Sequence, residues 1–425
     1  MPQDANDEAA VPSSGAIFDW NAIDDHPATR PRVLLDDETL RDGLQSPSVS
    51  TPTIDQKLRI LHVMHDLGID CADIGLPGAG PHVARDVERL AREIGQARLS
   101  VKPNCAARTV VADIVPIARI SQRVGMAIEV AAFIGSSPVR LYVEDWSTDY
   151  LVRCTEDAVA FAVGEGLPVV YVTEDTTRAH PDTLRRLYLA ALGAGATRLC
   201  AADTVGHATP AGAAALVRFL RSLVTEHGSS AEIDWHGHRD RDLALVNTLA
   251  AVDAGATRVH ATALGIGERA GNTPMDLLLV NLVLLGYLSR DLSRLRDYCE
   301  LVSEACQVPI PVGYPVFGRD AFRTATGVHA AAVVKAFRKG DQQLADTVYS
   351  SVPARMVGRE QEIGIGPMSG RSNVVYWLER QGVAVSEELV ARIFAYAKSS
   401  AHVLTDEELR ALVVGADRRR SDSSV

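Results

Sequence analysis

The feature of this sequence that most constrains its fold is an alternation. Short runs rich in Val, Ile, Leu and Ala begin near Val33, Asp70, Leu99, Ala127, Pro168, Arg198, Glu232 and Arg258, and each is followed by a longer stretch with helical periodicity. In 53–67, for example, Ile54, Leu58, Leu61 and Met64 recur on one helix face. Several helices close on a glycine (Gly68, Gly166, Gly195, Gly255), the residue that adopts a left-handed C-terminal conformation without cost. Strands alternating with helices pair in parallel through right-handed crossovers. Eight such units close a (β/α)8 TIM barrel. An open doubly wound sheet is the alternative, weakened because no G-x-G-x-x-G follows the first strand.

Past about Ser289 the alternation gives way to helical runs at 292–306, 330–338, 373–381 and 387–399, with a proline-rich segment at 308–315. The expected organisation is a flexible arm over 1–30, a catalytic barrel over 31–289, a mainly helical C-terminal extension over 290–416 and a disordered tail over 417–425. Charged residues at 23% and hydrophobic residues at 47% are ordinary for a globular chain. The net charge of -11 argues against nucleic acid as a partner. The longest apolar run, 277–288, is broken by Asn281 and Gly286, so no membrane span is expected. No basic stretch followed by an apolar core opens the chain. Six scattered cysteines without a C-x-x-C read as reduced thiols of a cytoplasmic protein.

A barrel places its chemistry at the C-terminal ends of its strands, and four polar clusters fall there. After the first strand comes Thr39-Leu-Arg-Asp-Gly-Leu-Gln45, where Arg41 and Asp42 face either one site or only each other as a surface pair. At the end of the seventh, His236 and His238 point the same way, as residues i and i+2 of a strand must. Asp234 shares that face and is a candidate partner for a histidine N–H. After the eighth lies Gly265-Ile-Gly-Glu-Arg-Ala-Gly-Asn272, a loop suited to close approach, with Asn272 offering an amide oxygen. The fifth and sixth strands end in Glu174, a candidate to orient Arg41 or move a proton, and Thr204, whose hydroxyl can hold a carboxylate. Each cluster alone has a bland structural reading. Together, one carboxylate, two imidazoles and an amide oxygen suit a catalytic divalent ion rather than a structural zinc, since no thiolate takes part.

These clusters, in this order, resemble the DRE-TIM metallolyase superfamily, which includes the 2-isopropylmalate, homocitrate and citramalate synthases and 3-hydroxy-3-methylglutaryl-CoA lyase. The likeness rests on T-L-R-D-G-x-Q at 39–45, His236-x-His238 and G-I-G-E-R-x-G-N at 265–272. It continues more weakly into Thr326-Gly-Val-His329 and Ser369-Gly-Arg371, like the helical subdomains of isopropylmalate synthase. The resemblance implies metal-dependent condensation of acetyl-CoA with a 2-oxo acid, most often 2-oxoisovalerate giving 2-isopropylmalate of leucine biosynthesis. Homocitrate, citramalate or specialised alkylmalate synthesis are the alternatives. It implies Asp42, His236 and His238 as ligands of Mg²⁺, Mn²⁺ or Zn²⁺, with Asn272 fourth or nearby. Arg41 polarises the ketone, Thr204 and Gln45 bind substrate, and Glu174 matches the acid after the fifth strand. His329, with Tyr349 beside it, reaches into a partner's site in a homodimer and deprotonates acetyl-CoA. Three positions depart from the family pattern: Leu44 replaces an acid, Arg239 an Asn and Asp242 a Gly. A lyase and a non-catalytic binding barrel are the rivals. The loop at 265–272 lacks the lyase cysteine, and the intact ligand set disfavours the second.

Overall fold

The computed structural model describes residues 32–422, together with Phe18 and Trp20–Ala22. The arm expected over 1–30 lies otherwise outside the described residues, as do 423–425. Eight strands form one closed parallel barrel: β1 (Leu34–Asp37), β2 (Cys71–Asp73), β3 (Lys102–Arg108), β4 (Glu129–Gly135), β5 (Val169–Glu174), β6 (Arg198–Asp203), β7 (Glu232–Gly237) and β8 (Arg258–Ala261). Closure is made by β8 on β1, with Asp36 opposite His260. Between strands run α1 (Ile54–Asp66), α2 (Pro81–Gln96), α3 (Val111–Val124), α4 (Pro138–Val143), α5 (Thr148–Gly164), α6 (Pro181–Gly193), α7 (Pro210–His227) and α8 (Ala244–Asp253), followed by α9 (Met275–Leu284) and α10 (Leu295–Cys306). The periodicity that marks α1 is reinforced by a capping box between Thr53 and Gln56.

The barrel unit extends to Ile310, past the change of pattern near 289. The reason is α10. The Tyr298 hydroxyl hydrogen-bonds to the buried Asp37 carboxylate, with the Thr39 hydroxyl 3.2 Å away. Burial pushes Asp37 up to about 7, against the hydrogen bonds from Thr39 and Tyr298.

The floor of the barrel is polar. Asn104 donates to both oxygens of Asp36 at 2.8 Å, Arg258 pairs with Glu129 at 2.7 Å and with Asp234 at 2.6 Å, and Arg198 reaches Asp234 at 2.7 Å. Burying charges costs several kcal/mol per ion unless partners replace water, which is why these side chains occur as closed sets.

The second unit holds α11 (Gly327–Arg338), α12 (Gln342–Thr347), α13 (Arg371–Arg380), α14 (Glu387–Ser399) and α15 (Asp406–Asp422), with the short parallel pair β9 (Arg323–Thr324) and β10 (Glu362–Ile363). Its core gathers Val374, Trp377, Leu378, Val390, Ile393 and neighbours. The tail expected to be disordered from 417 continues α15 as far as Asp422.

Candidate metal centre and active site

At the end of β1 the chain turns sharply, with Thr39 N–H donating to Asp37 and Ala263 N–H donating to Thr39. The turn presents Glu38, Arg41 and Asp42 at the barrel mouth. From β7, His236 and His238 arrive on the same face. His236 Nε2 lies 3.5 Å and His238 Nε2 3.6 Å from the same Asp42 oxygen, Oδ2. All three side chains are buried, with ligand atoms within 4.8 Å of one another. Burial, and then the nearby His236, hold His238 down to about 4, leaving its lone pair free near neutrality.

The loop after β8 closes over these groups. His238 and Asn272 form an isolated antiparallel bridge, and Arg239 N–H donates to the Gly271 carbonyl at 2.9 Å. A Cβ at Gly267 would stand 2.4 Å from Asn272 Nδ2, so only glycine permits this approach. Three buried polar atoms here make no hydrogen bond within the protein: Asn272 Oδ1, His238 Nδ1 and Glu38 Oε2. A carboxylate oxygen, two imidazole nitrogens and a nearby unpartnered amide oxygen fit a divalent ion of the Mg²⁺, Mn²⁺ or Zn²⁺ kind.

Beneath lies a second acid–imidazole group of Glu38, His236 and His260. Glu38 contacts His236 Nδ1 at 2.8 Å, His260 Nδ1 at 2.9 Å and Arg41 Nη2 at 3.0 Å. Burial opposes its ionisation, but His236, Arg41 and His260 outweigh it and pull Glu38 well below the usual range. Burial likewise opposes a charged His260, yet Glu38, Asp234 and Asp36 raise it to about 10. A protonated His260 with both nitrogens engaged, the second at 3.2 Å from Asp234, belongs to an ion-pair cluster rather than a ligand set.

A cavity of about 250 Å³ opens above, lined on one side by Glu38, Arg41, Asp42, His236, His238 and His260. The opposite wall is Leu76, Ala106, Ala131, Phe133, Val172 and Ala202. Gln45 and Thr204 also line it; Arg41 Nη1 is 3.5 Å from Gln45, and Thr204 Oγ1 accepts from Asp175 N–H at 2.8 Å.

Two sequence expectations need correction. Glu174 lines the cavity but does not orient Arg41. It pairs with Arg140 at 3.1 Å, while Arg41 is gripped by Asp73 at 2.7 Å and by Glu38. Burial raises Glu174, with Arg140 opposing. Asp234 does partner a histidine, but that histidine is His260 of the ion-pair cluster rather than His236 or His238, and Arg198 and Arg258 share it. Arg239 turns away from the cavity and pairs with Asp242 at 2.9 Å. His329 and Tyr349 lie together in the second unit, ring centroids 4.2 Å apart, with Tyr349 half exposed. Glu38, Asp73 and His260 were missed by sequence reasoning. Their signal was present, because charged residues inside apolar strand runs need opposite charges on neighbouring strands, and the register sets Asp36 beside His260.

The model of the HMGL-like family matches residues 32–302. Over 397 residues the chain is 33% identical to homocitrate synthase AksA of Methanopyrus kandleri, covering 92% of this chain and 94% of that protein. It is 29% identical over 371 residues to a homocitrate synthase of Saccharolobus islandicus, covering 87% and 76%. Among solved structures, hydroxymethylglutaryl-CoA lyase from Pseudomonas aeruginosa superposes with a TM-score of 0.55 at 20% identity, covering 69% of this chain and 97% of that one. The HMG-CoA lyase from Brucella melitensis gives 0.54 at 17%, covering 65% and 99%. Those structural likenesses speak for the barrel fold alone; the sequence match over most of the chain, together with the R-D-G and H-x-H clusters meeting at the barrel mouth, makes this protein a member of the HMGL-like family.

Proposed function

We propose that this protein condenses acetyl-CoA with a 2-oxo acid bearing a small branched apolar side chain, 2-oxoisovalerate fitting best and 2-isopropylmalate being the product. The observation that carries the choice of acid is the cavity wall of Leu76, Ala106, Ala131, Phe133, Val172 and Ala202. The cations on the facing side are already committed: Arg41 to Glu38 and Asp73, His260 to Glu38 and Asp234. A second carboxylate against such a wall loses its hydration without a partner, a cost of several kcal/mol. Each buried methylene instead contributes about 0.8 kcal/mol.

Asp42, His236 and His238 would hold a divalent ion, which would supply Lewis acidity to polarise the oxo acid. Arg41, fixed on two carboxylates, directs its guanidinium at the ketone oxygen and stabilises the alkoxide that forms there. Thr204 takes the substrate carboxylate. Loss of a methyl proton from acetyl-CoA gives an enolate that attacks the ketone carbon. The alkoxide is protonated, and water cleaves the thioester, releasing the CoA thiol.

His329 with Tyr349 beside it is the base on this reading, offered by one chain of a homodimer to the other's site. Mixing His329→Ala with Arg41→Ala protein then restores partial activity, because one hybrid site carries both residues. No recovery, with subunit exchange demonstrated, removes the shared site.

The homocitrate synthases among its relatives favour a second reading, with 2-oxoglutarate as the acid. A panel of 2-oxo acids with acetyl-CoA, following free thiol, separates the two.

A further inference from the structure

Glu38 is not among the residues that the family motifs assign, yet its carboxylate touches three functional groups at once. One oxygen, Oε2, lies 2.8 Å from His236 Nδ1. The other, Oε1, lies 3.0 Å from Arg41 Nη2 and 2.9 Å from His260 Nδ1. The side chain is only 6% exposed, so water does not compete for these contacts. The contact with His236 Nδ1 is a close charge contact without hydrogen-bond alignment, and it leaves the opposite ring nitrogen, Nε2, facing Asp42 Oδ2, 3.5 Å away. A carboxylate on the remote nitrogen of a ligating imidazole fixes its tautomer and its direction. His238 has no such partner; its Nδ1 is buried and unpartnered. The two candidate ligand histidines are therefore unequal, one carboxylate-oriented and one not.

We infer that Glu38 is the positioning residue of this centre, presenting His236 Nε2 to the divalent ion and steadying Arg41 at the ketone oxygen through one shared carboxylate. It couples the ion and the guanidinium, the two positive charges that must converge on a single oxygen. The inference rests on the metal-dependent reading above.

The test is Mn²⁺ binding to metal-stripped protein by titration calorimetry, in wild type, Glu38→Gln and Glu38→Asp, alongside steady-state kinetics. An amide keeps the size but cannot accept from both His236 and Arg41. Glu38→Gln is expected to bind Mn²⁺ about 10–100-fold more weakly and to lose kcat even at saturating Mn²⁺, because Arg41 loses one of the two carboxylates that fix it. Glu38→Asp should recover part of both. A Glu38→Gln protein that binds Mn²⁺ within about twofold of wild type overturns the inference; a wild type that binds no divalent ion overturns the metal reading itself. Should Glu38→Gln fail to fold, ¹⁵N spectra of histidine-labelled wild type, with the His236 signal assigned through His236→Gln, decide the matter. An Nδ1–H tautomer is expected, and an Nε2–H tautomer contradicts the assignment.

Discussion

The two halves of the barrel mouth differ sharply. On the side built by β1, β7 and β8, nearly every inward side chain is charged or an imidazole: Glu38, Arg41, Asp42, His236, His238 and His260. On the side built by β3, β4 and β5 the wall is Ala106, Ala131, Phe133 and Val172, with Glu174 at the end of β5 paired to Arg140. The first half is a network in which every group but His238 has two or more charged partners, so a single change propagates. The second is made of independent van der Waals contacts, and a substitution there changes shape without unbalancing charge. Such a division lets one half hold the reaction constant while the other selects the acid.

Removing a ligand should have the largest effect. Asp42→Ala or His238→Ala is expected to abolish Mn²⁺ binding and activity while the circular dichroism of the barrel is retained, and chelation of wild type should do the same reversibly. Full activity in metal-free protein would show that the charged half works in some other way. Filling the apolar half comes next. Ala131→Phe should lower kcat/KM for branched 2-oxo acids by about 10–100-fold, the equivalent of roughly 1.4–2.7 kcal/mol, while pyruvate is largely spared. Equal losses for all acids would mean that Ala131 does not face the acid's side chain.

The contact between β1 and α10 carries a pH signature. Asp37 is raised from the usual carboxylate range to about 7, so the folded state binds this proton more tightly than the unfolded chain. Its contribution to stability is fully present below pH ~4 and is lost as pH rises through 7, with each unit worth ~1.4 kcal/mol. Asp37→Asn should therefore gain thermal stability relative to wild type between pH 5 and pH 8. A difference in Tm that does not change with pH contradicts a shifted Asp37. The smallest effect is expected at Arg239. Since Arg239 pairs with Asp242 and does not line the cavity, Arg239→Asn should alter the ratio of kcat/KM between acids by less than about twofold, a few tenths of a kcal/mol as for other exposed ion pairs.

The apolar runs and glycine-ended helices made the barrel readable, because eight periodic units admit few topologies. The short α4 and α12 carry too few turns for a period to show. The polar end of α15 reads by composition as a tail. At the site, alternation located the face of each residue but not its depth. Asp234 and His236 point the same way, yet two residues of strand separate them by about 6.6 Å. Asp234 therefore meets His260 and the arginines of the floor, while His236 meets Asp42. Arg41 was legible from its motif, and Glu38 stands only three residues before it, but its partner Asp73 depends on which strands become lateral neighbours, and spacing along the chain carries no such information.

Whether a charged half performs the chemistry while an apolar half chooses the acid is decided by kcat/KM for 2-oxoisovalerate against 2-oxoglutarate in the Mn²⁺-loaded wild type. A preference for 2-oxoisovalerate of at least about 100-fold is expected, the factor that ~2.7 kcal/mol of uncompensated carboxylate burial produces. A preference for 2-oxoglutarate would contradict it, and would mean that a cation not facing the acid in this structure turns to meet the second carboxylate.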